Sequence, residues 1–131
     1  MFLGIQNAPR KVLLEQHLPL IRSALEELKA GPENYVHKKA SYWDDFCLAK
    51  FLEGSCLRFV AFPDKDAVLD PNEVVSYNKE EATKAALEAL KLVIENGPKI
   101  QLDHHLVYFA RECLFRVFFS GSGVNARACE F

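Results

Sequence analysis

Charge of one sign is what this chain most plainly lacks. Against 16 Lys and Arg stand 18 Asp and Glu in 131 residues, a formal net charge of −2. A sequence-independent grip on phosphates needs several unopposed cations, so no nucleic-acid partner is expected. The short basic cluster Lys38–Lys39 beside His37 is followed at once by Asp44 and Asp45, and the field cancels within a few residues. Also missing is any apolar run near the roughly 18 to 20 residues that cross a hydrocarbon core, so no membrane partner is expected either. The start, Met1-Phe2-Leu3-Gly4-Ile5, has no basic stretch and too short an apolar one for a secretory signal, and a cytoplasmic setting is the expectation.

Cysteine is sparse and badly spaced for chemistry. Residues 47, 56, 113 and 129 form no Cys-x-x-Cys pair to clamp zinc or run a dithiol exchange. Cys47 and Cys113 fall inside apolar helical patterns and Cys56 opens an apolar run, where an inert buried thiol is the common case. Cys129, in the polar tail, is the one expected to be exposed. No Gly-rich phosphate loop, Gly-x-Ser-x-Gly elbow or His-Glu-x-x-His occurs, and Gly121-Ser122-Gly123 follows a helical pattern where a phosphate loop would precede one.

What is present is apolar. Half the residues are hydrophobic, with ten phenylalanines, four tyrosines and one tryptophan, enough for a core without staples at this size. One globular domain over 1–120 with a tail at 121–131 is expected. From Arg10 to Ala30 the residues Leu14, Leu18, Ile21, Leu25 and Leu28 lie on one helical stripe. Pro19 interrupts it, so that the helix kinks there or two short helices meet. Gly31-Pro32 ends it. Ser41 with Asp44 reads as a capping box for a second helix over about 42–53, apolar on more than one side and so wedged between neighbours, with Gly54 as its stop.

Cys56-Leu57-Arg58-Phe59-Val60-Ala61-Phe62, halted by Pro63-Asp64, reads as a strand. Val68-Leu69 and Glu73 to Tyr77, divided by Asp70-Pro71-Asn72, would pair back onto it. Asn78 caps a third helix, with Glu81 at the capping-box position and Ala82, Ala86, Ala89, Leu90 and Val93 as a close-packing face ending at Asn96-Gly97. Asp103 caps a fourth, about 104–119. The expected class is therefore α+β and helix-dominated: four main helices with a small two- or three-stranded antiparallel sheet, all-α being the alternative.

The four histidines, at 17, 37, 104 and 105, lack the spacing of a helical metal site, since adjacent His104 and His105 point about 100° apart. No metal, cofactor or catalytic residue is assigned. Asp44 and Asp45 diverge on a helix and Asp44 already has a capping role, while a Cys113–His37 dyad would have to be assembled in space. The last helix is more informative. At 100° per residue, Leu106, Val107, Phe109, Ala110, Cys113, Leu114, Val117 and Phe118 form a core arc. Tyr108, Phe115 and Phe119 line the other side, flanked by His104, Arg111, Glu112 and Arg116.

Aromatics mixed with arginine are the composition of binding hot spots. Tyr108, Arg111, Phe115, Arg116 and Phe119 are thus the candidate interaction surface, unless Tyr42, Trp43 or Phe62 covers them from within. The function expected is a non-enzymatic interaction protein of inhibitor, immunity or adaptor type, binding a protein partner. Alternatives are a small enzyme with a thiol or His/Asp site assembled in three dimensions, or a self-associating subunit, a possible homodimer.

Overall fold

The computed structural model describes residue 5 and residues 8–35, 39–63, 76–102 and 104–121. Four helices run through them. The first, α1, comprises Arg10–Val12, a π turn Leu13–His17 and Leu18–Leu28. The others are α2, Lys39–Ala61, α3, Lys79–Glu95, and α4, His105–Gly121. Single 3-10 turns at Pro32–Asn34 and Gly97–Lys99 link α1 to α2 and α3 to α4. Among the described residues no helix is long and apolar enough to cross a membrane.

The expected sheet is corrected. No strand occurs among the described residues, and residues 56–61 form the C-terminal end of α2 with Phe62 just past it, so the fold is all-α. A short apolar run cannot by itself distinguish a buried strand from a buried helix. Here the run is apolar apart from Arg58 because α2 is covered round most of its circumference: α3 packs along it most extensively, then α1, then α4. The candidate partner strands at 68–69 and 73–75 lie outside the described residues, and Ser76 and Tyr77 are irregular.

Gly54 does not stop α2 either. A Cβ at that position would come within 2.7 Å of Leu90 Cγ and 3.3 Å of the Ala86 carbonyl oxygen, so the missing side chain lets α2 and α3 approach closely. Ser41 lies inside the helix, which begins at Lys39, and is not its cap. The glycine that does end a helix is Gly31, at φ +87° after α1, a conformation that L side chains rarely adopt.

Two main clusters form the core. Cys56, Phe59 and Val60 meet Ala82 and Ala86 at one end of the α2–α3 pair, with Leu13, Leu18 and Ile21 of α1 closing the cluster. Cys47 and Phe51 meet Leu90 and Val93 at the other, closed by Leu106, Ala110 and Val117 of α4. The two helices are therefore antiparallel. α3 keeps the sequence pattern unchanged: Asn78 accepts the Glu81 N–H at 3.1 Å, and Ala82, Ala86, Ala89, Leu90 and Val93 are its buried residues.

Pro19 acts one turn earlier than a simple kink. It has no N–H for the Glu15 carbonyl and would crowd it. The chain widens into the π turn, in which the Leu18 N–H reaches back five residues to the Leu13 carbonyl. The extra residue shifts the register. Leu13, not Leu14, is buried beside Leu18, and Leu14 is left half-buried. Leu13→Ala is accordingly expected to cost about 2–5 kcal/mol in urea unfolding, with Leu14→Ala costing clearly less. The reverse order would mean that α1 runs as an unbroken α-helix.

Candidate functional site

Three buried polar groups lie on α2, and Asp44 among them holds the chain that leads into α4. Asp44, on α2, is nearly inaccessible. Its carboxylate accepts the Leu102 N–H at 2.8 Å and the Gln101 N–H at 3.2 Å, tying down the chain just before α4. Glu53 sits between Arg22 of α1 at 3.4 Å and Lys50 at 3.1 Å, so its charge is answered on both sides. Ser55, also buried, lies beside the Cys113 thiol of α4.

With its start fixed by Asp44, α4 turns Leu106, Ala110 and Val117 into the core, and a Val107 methyl approaches the space beside Gly97 where a Cβ would stand. The opposite side is partly exposed. Tyr108 is 64% exposed and Phe115 52%, with Arg111 and Arg116 exposed beside them. Arg116 pairs with Glu112 one turn away at 3.1 Å. The structure thus brings Tyr108, Arg111, Phe115 and Arg116 to one face, while the side chain of Phe119 lies outside the described residues.

The internal covers considered from sequence are engaged elsewhere. Tyr42 is buried against Leu28 and donates to its carbonyl at 2.7 Å. Trp43 lies under the Lys99 ammonium at 4.0 Å, and Phe62 under that of Lys79 at 4.7 Å.

Two residues assigned to the core arc are corrected by the structure. Phe109 is 48% exposed and Phe118 56%. Tyr108 meets Phe109 edge to face at 5.7 Å, and His105 lies tilted over Phe109 at 6.5 Å. The sequence held a signal for this: the assigned arc ran about halfway round the helix, wider than the roughly 100° stripe by which a surface helix packs. Its two edge residues, Phe109 and Phe118, are the ones left outside.

The other candidate chemistries separate in space. Asp44 holds backbone N–H groups, and Asp45 accepts the Tyr35 hydroxyl. That bond, with burial and the charge of Asp45, raises the Tyr35 phenol to about 12. Asp44 therefore anchors a distant loop and is not the capping-box residue of α2. His104 and His105 are exposed, and His37 lies outside the described residues. Among the described residues no three His, Cys, Asp or Glu side chains converge as a metal site would require.

Burial pushes the thiols up, Cys47 to about 11 with help from the Asp44 charge, and Cys56 to about 12. The Cys113 thiol is raised too, by burial, against opposition from Arg58 and the Ser55 hydroxyl. A cleft of about 250 Å³ lies between α1, α2 and the start of α3, with Leu14, Leu57, Val60 and Ala85 in its walls and Tyr77 and Arg22 among its polar lining. Arg22 is already paired with Glu53.

Comparison with protein-family models, curated proteins and solved structures returns no match.

The raised thiols have a signed consequence. A thiol protonated more tightly in the folded state contributes stability that is fully present below its unfolded value of about 8.5 and is lost as pH rises through the folded one. In a Cys129→Ser protein, Cys47, Cys56 and Cys113 should resist iodoacetamide at pH 8 until urea unfolds the chain, and stability should decline from about pH 9 towards 11–12. Rapid alkylation of the folded protein would contradict this.

Proposed function

We propose that this chain is a non-enzymatic interaction protein, of inhibitor, immunity or adaptor type, that acts by laying the outer face of α4 over a protein surface. One observation supports the reading above the rest. Tyr108, Phe109, Phe115 and Phe118 are each about half or more exposed on a single helix whose other face is core. At roughly 200 Å² per aromatic side chain, the exposed aromatic area totals about 400 Å², spread over about half the circumference of the helix and centred on Tyr108 and Phe115. Patches of roughly 300–600 Å² are the largest on an ordinary monomer and are often functional.

Arg111 and Arg116 supply the polar edge of such a surface. Aromatic and arginine side chains carry a disproportionate share of binding free energy because they combine large contact area with directed hydrogen bonds. The near-neutral net charge leaves contact area, and not long-range attraction, as the source of affinity.

Replacing Tyr108 with a photoreactive benzoylphenylalanine in cells that express the chain tests the reading. Irradiation should give a protein adduct from position 108 and none from Lys84, an exposed residue of α3. Equal adduct formation at both positions, or none at 108, would contradict it.

A further inference from the structure

From the distribution of charge on this same face we infer that the partner of α4 is a second copy of the chain, packed antiparallel about a twofold axis that passes close to Phe115. The inference rests on the reading of α4 as an interaction surface and names its occupant.

The face is self-complementary. Counting 100° per residue from the outward line of Tyr108 and Phe115, Glu112 and Arg116 lie on one flank, and Arg111 and Phe118 on the other. An antiparallel twofold pairing sets like flank against like flank, with the two chains running in opposite directions. Glu112 of each copy then meets Arg116 of the other, twice over. On the opposite flank Arg111 of each copy meets the ring of Phe118, a cation–π arrangement, and Phe115 meets Phe115 near the axis. Glu112 and Arg116 already point the same way, 3.1 Å apart, with 45% and 62% of their side chains exposed, so both are placed to extend their pairing across an interface.

Size and net charge are those of a weak self-association. By the same count Tyr108 and Phe109 lie at or beyond the end of the second copy's α4, so the apolar centre is Phe115 with Phe118, well short of the roughly 800 Å² per partner of a stable interface. Arg111, Glu112 and Arg116 border this centre and add to the contact. The product is a weak dimer. Two chains of net charge −2 repel each other little.

Sedimentation equilibrium on the full chain, with the single variants Glu112→Arg and Arg116→Glu, tests this. The wild type should dimerise. Each single variant places like charges across both symmetric contacts and should associate about tenfold or more weakly. An equimolar mixture of the two variants restores opposite charges at both contacts and should form the heterodimer, a recovery that the loss of the Glu112–Arg116 pair within one helix would not produce. Circular dichroism should show both variants folded.

Several results would overturn the second copy. One is a mixture that stays monomeric. Another is a wild type that is monomeric at every concentration while Phe115→Ala keeps its melting temperature, which leaves the face to a different protein. A third is association that appears only after removal of residues 122–131, which assigns the face to the chain's own C-terminus. If Phe115→Ala instead lowers the melting temperature sharply and leaves association unchanged, both the second copy and the interaction reading fail.

Discussion

A helix with apolar residues round most of its circumference has to be covered round most of it, and the rest of this structure follows from covering α2. Its 23 residues, Lys39–Ala61, run through the middle of the bundle. Gly54 lets α3 approach at a distance no side chain would permit, which fixes the antiparallel α2–α3 pair as the frame. α1 and α4 then close the two ends of that pair with separate clusters. Covering α2 also takes its polar groups out of water, and burying a carboxylate is unfavourable unless it is hydrogen-bonded or paired. Glu53 finds Arg22 and Lys50, and Asp44 finds the backbone N–H groups of Gln101 and Leu102.

The Asp44 contact connects the core to the proposed surface. A carboxylate on α2 holds the two residues that lead into α4, and so sets where that helix begins and which of its sides turns inward. Once Leu106, Ala110 and Val117 are seated against Leu90 and Val93, the geometry of a helix carries Tyr108 and Phe115 outward. Burying Tyr108 and Phe115 inside the same bundle would require α4 to rotate about its axis, which would pull Ala110 and Val117 out. The aromatic face is thus the far side of a necessary packing arrangement.

The parts of the fold legible in the sequence are those governed by neighbours along the chain. α3 could be read from its Asn78 cap to its end because its cap, its acidic first turn and its small-residue face are all local signals. The end of α1 at Gly31 is equally local. What could not be read depends on distance in sequence. The run 56–62 resembles a strand because this end of α2 is apolar apart from Arg58, as its packing against α1 and α3 requires. Asp44 resembled a cap because its real partners lie 57 and 58 residues away. Leu14 looked like the core residue because straight-helix counting does not contain the π turn that Pro19 imposes. On α4 the spacing separated the two sides, but the edges at Phe109 and Phe118 depended on how far its neighbours reach.

The central claim is that one helix divides its aromatic residues from its core residues. The most direct measurement is the urea unfolding of Leu106→Ala beside Phe115→Ala. Leu106→Ala should cost about 2–5 kcal/mol because it empties a packed site. Phe115→Ala, removing a ring already half in water, should leave the stability of the isolated chain within about 0.5 kcal/mol of wild type. A loss of about 3 kcal/mol or more at Phe115 would place that ring in the protein's own core and contradict the account.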